Sequence, residues 1–293
     1  MSDRDQPQNW EGFFAEEYGR LGPETRTRLY DLLPEGWTFE GKRVLDFGCG
    51  PGRTLRQFTE EASKGEFWGV DIDPSSIESF EDCDLPLHTR VCDLNPPLEF
   101  EDESFDFIWA ISVFTHLTDN SADWLIELHR ILKPGGRLMA TFMGPAQSEI
   151  VAFEPWDENR VGMNVLYKDR TREEGTPMVF MSDWWVREHW GRLFEIETIE
   201  DIHSQRWPML VKKEANLTAA EVMAMSDDPR EIDALRHNLV QVQEEASRLH
   251  QTMKDDRIRQ QEALDAQRAE FESSASWRAT KPLRQIMGRT RRS

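Results

Sequence analysis

The sequence has few cysteines, only three in 293 residues: Cys49, Cys83 and Cys92. The number is odd and no pair has the C-x-x-C spacing, which argues against a disulfide-stabilised scaffold and against a structural zinc site. No His, Asp or Glu spacing is typical of another metal site either. We therefore expect no metal, and a reducing compartment, the cytoplasm, fits this cysteine usage.

Long apolar runs and positive charge are also scarce. No apolar run approaches the roughly 18 residues of a membrane span, and the first residues lack the apolar stretch of an ordinary signal peptide. The chain has 35 Lys and Arg against 55 Asp and Glu, a formal net charge of −20. Such an acidic chain repels phosphate backbones, so general nucleic-acid binding is not expected.

Four segments differ in composition. Residues 1–40 are polar with interspersed aromatic residues, and we interpret them as an N-terminal helical lid segment with a short helix over 23–33. Residues 41–213 alternate strand-like apolar runs with helical patterns, which predicts βαβ units and a parallel sheet. Residues 214–272 contain a long charged stretch without Gly or Pro from 230 onward, which predicts a long helix, and residues 273–293 form a basic tail.

The most informative motif is VLDFGCGPGR at residues 44–53. An apolar strand leads into a turn with Gly48, Gly50 and Gly52, which would let the backbone approach a ligand closely. The motif lacks the third glycine of a G-x-G-x-x-G dinucleotide site, because Arg53 stands at that position. Asp46 beside the turn would repel a pyrophosphate but suits a ligand with an ammonium group, such as S-adenosylmethionine (SAM). The alternative is an ordinary glycine-rich turn between a strand and a helix.

Acidic residues follow the next two predicted strands. Asp71 ends a second strand, 19 residues after Gly52, where a carboxylate accepts hydrogen bonds from ribose hydroxyls. Asp93 follows a third strand, where it would meet an adenine amine. Each could instead be an ordinary turn or loop aspartate. A fourth strand over 105–110 is followed by a loop that should lie beside the ligand, because open parallel sheets bind ligands outside the carboxyl ends of their strands.

Together with LKPGG at 132–136, these ordered motifs resemble the class I SAM-dependent methyltransferase family, of the type found in bacterial surface-polysaccharide gene clusters. The resemblance covers about residues 41–213. It implies an α/β Rossmann-like fold with a seven-stranded, mostly parallel sheet, and SAM as cofactor. It also implies a cofactor site that comprises Asp46, Gly48, Cys49, Gly50 and Gly52 at the methionine part, Asp71 at the ribose, Ile72, Asp93 and Leu94 at the adenine, and Ala110 at the methionine side.

The acceptor site is harder to locate from sequence. His116 follows the fourth strand, and an imidazole titrates near neutral pH, so this residue could deprotonate an acceptor hydroxyl. The alternative is that His116 anchors its loop through hydrogen bonds. Residues 145–193 form a long link, which is typical of a lid or a binding loop. Within it we expect Trp185 and Trp190 in the core, whereas Tyr167 could face a sugar or the core.

The C-terminal segments indicate partners. Apolar residues in 229–272 repeat in steps of 3 and 4, an a/d heptad that predicts self-association or a partner helix in a coiled coil; the alternative is a solvated single helix. The seam comprises Ile232, Leu235, Leu239, Val242, Ala246, Leu249 and Met253. Residues 274–293 carry six Lys and Arg and no acid, which suits an anionic membrane surface or an acidic partner, or else a disordered tail. Residues 274–284 also resemble a short tail motif of bacterial enzymes of surface-polysaccharide assembly.

These observations predict a cytoplasmic SAM-dependent methyltransferase, peripheral at the inner membrane face if the tail binds lipid. The expected reaction is O-methylation of a sugar or glycan intermediate in cell-surface polysaccharide synthesis. Two alternatives remain. One is a methyltransferase of a small metabolite or lipid. The other is a coiled-coil assembly scaffold for a glycosyltransferase complex, in which SAM binding is secondary.

Overall fold

The structure is a computed structural model that describes residues 10–80, 85–153, 155–168, 170, 176–202 and 205–280. The helices in these residues are α1 (Trp10–Leu32), α2 (Thr59–Ala62), α3 (Pro74–Glu78), α4 (Ser121–Ile131), α5 (Pro145–Gln147), α6 (Asp183–His189), α7 (Ala219–Val222), α8 (Arg230–Ser273) and α9 (Ala275–Ala279). The strands are β1 (Arg43–Phe47), β2 (Glu66–Asp71), β3 (Leu87–Val91), β4 (Phe105–Ala110), β5 (Leu132–Ala140), β6 (Phe142–Met143), β7 (Met163–Leu166), β8 (Met178–Met181), β9 (Phe194–Ile202) and β10 (Gln205–Lys212).

Seven strands form the sheet that the sequence predicts, in the order β3-β2-β1-β4-β5-β10-β9. The pairs among β1 to β5 are parallel, and β10 is antiparallel to both β5 and β9. The chain order reverses between β1 and β4, so a crevice is expected outside the carboxyl ends of these two strands. The predicted Rossmann-like α/β fold is confirmed.

The predicted number of strands is too low, because the described residues contain ten strands in one sheet. The three additional strands β6, β7 and β8 are short and lie within residues 142–181. β6 pairs with β10 at Phe142 and Arg206, β8 pairs with β6, and β7 pairs with β8. A segment that sequence patterns indicated only as a long link thus adds a small extension to the sheet.

The core consists of two layers on the two faces of the sheet. Ile108 and Ala110 of β4 belong to one buried cluster, and Phe107 and Trp109 belong to the other. Neighbouring residues of a strand point to opposite faces, so a strand buried on both faces is apolar throughout. Trp185 and Trp190 are buried in the first cluster, as expected from sequence.

Two helices differ from expectation. α1 begins at Trp10 and contains Pro23, so the prediction that the helix begins near Pro23 is wrong. The helix after the glycine turn is a short 3-10 helix, Leu55–Phe58, followed by the single turn of α2. A helix start was expected there, but the regular part is too short to provide a strong helix dipole.

The described residues divide into two compact units after Leu235. The first turns of α8 belong to the first unit, where Glu231 and Ala234 are buried. Glu231 forms a buried hydrogen bond with His189, and its Oε2 atom lies 3.1 Å from His189 Nε2. The first unit therefore extends past residue 213.

The second unit contains the rest of α8, followed by α9. Within it the predicted heptad positions are solvent-exposed: Leu239 is 58% exposed and Val242 is 60% exposed. The ring of Trp277 in α9 packs on Phe271, with ring centroids 4.7 Å apart. Most of the basic residues of the tail lie in 281–293, outside the described residues. Within the described residues, no helix has both the length and the apolarity that a membrane span requires.

Candidate active site

The glycine turn lies at the carboxyl end of β1 and is attached to β2. The Gly48 and Cys49 amides both donate to the Val70 carbonyl oxygen, at 2.8 and 3.0 Å. Gly48, Gly50 and Gly52 have φ values of +77°, +52° and +91°, a region that side chains other than glycine rarely adopt. The turn is therefore held in one conformation that only glycine adopts without strain.

Gly48 and Gly50 differ in the space around them. A Cβ on Gly48 would lie 2.4 Å from Val113 Cγ2, so the turn packs directly on the loop after β4. A Cβ on Gly50 would meet no heavy atom within 4 Å, so this backbone borders open space. Gly48 is needed for close packing, whereas Gly50 leaves open space beside its backbone.

Asp46 is buried at the end of β1, only 3% exposed, and its Oδ2 atom has no hydrogen-bond partner among the described residues. Burial raises the pKa of Asp46 to about 7, and Asp71 acts in the same direction, whereas the Trp109 indole and Arg53 oppose the shift. A buried carboxylate oxygen without a partner is costly. A cationic group bound at the turn would supply the missing partner, as expected for the ammonium group of SAM.

Asp71 ends β2 and holds the glycine turn. Its Oδ2 atom accepts from the Gly50 amide at 2.8 Å and its Oδ1 atom accepts from the Asp73 amide at 2.9 Å. Each carboxylate oxygen has a second lone pair, so both can still accept from ribose hydroxyls. Asp71 therefore holds the turn, and its contact with a ribose stays a prediction.

The other predicted cofactor residues differ in accessibility. Ile72 is 48% exposed and Leu94 is 67% exposed, and Asp93 is also exposed, all at the carboxyl ends of β2 and β3 where an adenine is expected. Cys49 and Ala110 are buried. Their contacts with the methionine part of the cofactor stay predictions. The Cys49 amide is already bonded to Val70, and burial raises the pKa of its thiol.

His116 lies in the loop after β4. Its side chain is exposed, and one of its ring nitrogens contacts a backbone carbonyl. Its Nδ1 lies 2.7 Å from the Pro177 carbonyl oxygen. A carbonyl can only accept, so Nδ1 carries the proton and Nε2 of the neutral ring has a free lone pair. Among the described residues, no hydrogen bond to Nε2 is present. This tautomer is the one that a general base requires.

His116 lines a cavity of about 600 Å³, formed by the loop after β4, the 143–178 segment and the start of β10. This volume suits a small ligand. The loop is fixed from several sides: the Val179 amide donates to the Thr115 carbonyl oxygen at 2.8 Å, and the Ser112 amide donates to Thr141 Oγ1 at 2.8 Å. Val113 of the same loop packs on Gly48, so the loop that lines the cavity also contacts the glycine turn.

Several cavity residues could not be identified from the sequence. Ser112 adopts a positive φ of +61°, and Gln205 Nε2 donates to its Oγ at 3.1 Å. Arg170 lies over the ring of Tyr167. These residues come from distant segments and belong to no motif. Only the length of the 145–193 link indicated that part of the site would come from it.

Comparison with known proteins is consistent with this geometry. Residues 45–140 match a protein-family model described as a methyltransferase domain. The chain is 26% identical over 242 residues to a 27-O-demethylrifamycin SV methyltransferase of Amycolatopsis mediterranei, covering 74% of this chain and 84% of that protein. It is 32% identical over 115 residues to a phthiotriol/phenolphthiotriol dimycocerosates methyltransferase of Mycobacterium ulcerans, covering 39% of this chain and 42% of that protein. The chain thus spans less than half the length of some curated relatives that it matches.

Solved structures show the same fold. A SAM-dependent methyltransferase of Mesorhizobium loti superposes with a TM-score of 0.50 at 17% identity, covering 64% of this chain and 96% of that one. A chain from the complex of the Haloferax volcanii Trm112 methyltransferase activator with a methyltransferase gives a TM-score of 0.52 at 19% identity, covering 71% and 98%. At these identities the likeness shows the fold.

The curated relatives are named for different acceptors, and none of them tests the predicted link to polysaccharide gene clusters. The predicted roles of single residues also stay predictions. The fold and the match over residues 45–140 together confirm the predicted class of domain: this part of the chain is a SAM-dependent methyltransferase domain.

Proposed function

We propose that the protein is a SAM-dependent O-methyltransferase that uses His116 as general base. The observation that carries this proposal is the Nδ1 contact of His116 with the Pro177 carbonyl oxygen at 2.7 Å. It leaves Nε2 free to accept a proton, on a residue that lines the cavity and whose loop contacts the glycine turn.

The glycine turn fits SAM. Asp46 would face the ammonium group, Gly50 would offer its backbone, and Asp71 would accept from the ribose hydroxyls. When bound, SAM supplies a methyl group on a positively charged sulfonium centre. The residues of the chain position the acceptor and manage its proton, because alignment and proton removal are the parts of the reaction that a protein contributes.

His116 would take the hydroxyl proton of the acceptor onto Nε2. The ring then carries a proton on both nitrogens, and its positive charge is stabilised by the Pro177 carbonyl oxygen that already accepts from Nδ1. Thr176 Oγ1 lies 3.2 Å from the same nitrogen. This arrangement stabilises the ring in the state that follows proton transfer, and solvent can remove the proton because the residue is exposed.

For the acceptor we propose a hydroxyl of a sugar or glycan intermediate in cell-surface polysaccharide synthesis, supported by the resemblance of residues 274–284 to tails in that class of enzymes. A small metabolite or lipid is the alternative among enzymes. It is supported by the relatives, since the match over most of this chain is named for 27-O-demethylrifamycin SV. A scaffold with secondary SAM binding would need no base, so turnover separates it from both.

Two substitutions of His116 test its role. His116→Asn retains a side-chain N–H for the Pro177 carbonyl but has no basic nitrogen, whereas His116→Ala removes both. If His116 is the base, both variants should lose about 10²–10⁴-fold in turnover while SAM affinity stays nearly constant. The measurement is release of S-adenosylhomocysteine, with SAM affinity determined by calorimetry.

The matched control is His88→Asn, because His88 stacks on Trp68 in β2, away from the cavity. This variant should retain full turnover. If His116→Asn keeps most of the turnover and only His116→Ala loses it, His116 is a loop anchor and the proposed base is wrong.

A further inference from the structure

The described residues that line the cavity beside His116 carry one formal charge and are otherwise uncharged. Among the described residues that line it, Arg170 is the only lysine, arginine, aspartate or glutamate. The chain as a whole has a net charge of −20, so a cavity whose described lining contains a cation and no carboxylate is unusual for this protein. The local charge therefore favours an anion.

The guanidinium of Arg170 is fixed by an aromatic ring and not by an acid. Its Cζ atom lies 3.6 Å from the centroid of the Tyr167 ring, within the range of a cation–π contact. The Arg170 amide donates to the Tyr167 carbonyl oxygen at 3.0 Å, in a turn where Tyr167 has a φ of +55°. The turn folds the arginine back over the tyrosine.

The contact with Tyr167 needs none of the N–H donors of the guanidinium. A cation–π contact uses the flat face of the group, whereas its five N–H donors lie in the plane and point outward. In the part of the chain that the structure describes, no carboxylate forms an ion pair with Arg170. Other arginines of this protein behave differently, since Arg206 pairs with Asp183 and Arg130 pairs with Glu127.

The other described residues that line the cavity are uncharged. Met143, Phe153 and Met178 offer apolar surface, and Gln205 offers an amide. Together with His116, these groups suit a compact molecule that carries a hydroxyl, an apolar face and one anionic group.

We propose that Arg170 binds an anionic group, a carboxylate or a phosphate, of the methyl acceptor. The acceptor class is therefore a hydroxylated acid or a hydroxylated phosphate ester and not a neutral alcohol. The planar fork of the guanidinium matches two oxygens of either anion. The inference rests on the proposed function only in calling the bound molecule a methyl acceptor; the anion site itself stands on the cavity.

The test observes the Nε–Hε signals of the arginines by nuclear magnetic resonance of the full chain. Sodium phosphate and sodium acetate are titrated separately, with sodium chloride at equal ionic strength as the reference. Arg170→Gln assigns the Arg170 signal, and Arg187, exposed on α6, is the internal control. We expect a saturable shift of the Arg170 signal with one or both anions, no such shift with chloride, and no saturable shift at Arg187.

The two arms identify the source of the anion, since a shift with acetate alone indicates an acid and a shift with phosphate alone indicates a phosphate ester. Arg170→Lys keeps the charge but loses the planar fork, so it should bind the same anion at least about fivefold more weakly by calorimetry. Arg187→Gln should bind as the wild type does.

Equal shifts at Arg170 and Arg187, or no saturable shift with either anion, would overturn the inference. Addition of S-adenosylhomocysteine to the same sample separates this result from failure of the proposed function. If that compound binds and the anions do not, only the anion site is wrong. If the anions bind and that compound does not, the methyltransferase proposal fails and the anion site stands.

Discussion

Asp46 should couple SAM binding and folding stability to pH. Its pKa in the folded protein is about 7, because burial penalises the charged form, whereas an unperturbed aspartate has a pKa near 3.9. Between these two values the folded state keeps a proton that the unfolded state has lost. The contribution of this group to stability therefore falls as the pH rises from about 4 to about 7, and it stays low above that.

The magnitude follows from the shift. About three pKa units correspond to roughly 4 kcal/mol at 1.36 kcal/mol per unit, an upper value because the surroundings can relax around the charge. Asp46→Asn removes the titrating group and keeps the shape. By denaturant unfolding, the free energy of unfolding of this variant should rise relative to the wild type between about pH 5 and pH 8, by about 1–4 kcal/mol.

SAM binding should show the opposite dependence on pH. The ammonium group of the ligand favours the ionised form of Asp46, so about 90% protonation one unit below its pKa should weaken binding by about tenfold. Calorimetry in buffers with different ionisation enthalpies should show proton release on binding near neutral pH in the wild type and none in Asp46→Asn. An equal affinity at about pH 6 and about pH 8 in the wild type would refute the assigned role of Asp46.

Three further predictions concern other parts of the chain. Gly48→Ala should lower SAM affinity at least about tenfold, since its Cβ would lie 2.4 Å from Val113 Cγ2. Gly36→Ala, at the same φ of +77° but with no atom within 4 Å of the added Cβ, should leave SAM affinity unchanged. Equal losses of affinity in the two variants would contradict this prediction. In the full chain, the exposed seam of α8 should pair with a second copy. Ending the chain after residue 235 removes most of this seam and should leave a folded SAM-binding domain of lower oligomeric state. Light scattering that shows a monomeric full chain would rule this out. Deleting residues 277–293 should leave turnover on a soluble acceptor unchanged. The deletion should abolish salt-sensitive binding to anionic liposomes, since each basic residue near an anionic membrane surface contributes about 1 kcal/mol. A loss of turnover would mean that the tail is part of the catalytic unit.

The cofactor side of the fold could be predicted from sequence because each of its features is local. The turn with Gly48, Gly50 and Gly52 requires a positive φ at each glycine, and that requirement is visible in the residues themselves. Asp71 is recognisable because it ends an apolar run at a fixed distance from the turn. Parallel strands bring their carboxyl ends to one edge, so local motifs suffice to assemble that half of the site.

The acceptor side could not be predicted because its contacts are not local. His116 and Pro177 are 61 residues apart, and Ser112 and Gln205 are 93 apart. The short strands that bring them together carry no clear alternation.

The extent of α8 was also predictable, because 44 residues without Gly or Pro favour one continuous helix. Its heptad identifies a seam but not what covers it. The boundary of the catalytic unit was not predictable, since the burial of Ala234 depends on Gly162, whose Cβ would lie 3.1 Å from the Ala234 Cβ.

The most direct test of the account is calorimetric titration of the wild-type protein and Asp71→Ala with SAM. The account predicts one site per chain in the wild type and a loss of about 1–3 kcal/mol in Asp71→Ala, because two ribose hydroxyls and the Gly50 amide lose a charged acceptor. Asp123→Ala, a change of an exposed aspartate in the first turn of α4, should bind as the wild type does. Absence of SAM binding by the wild-type protein, or equal binding by all three proteins, would contradict the account.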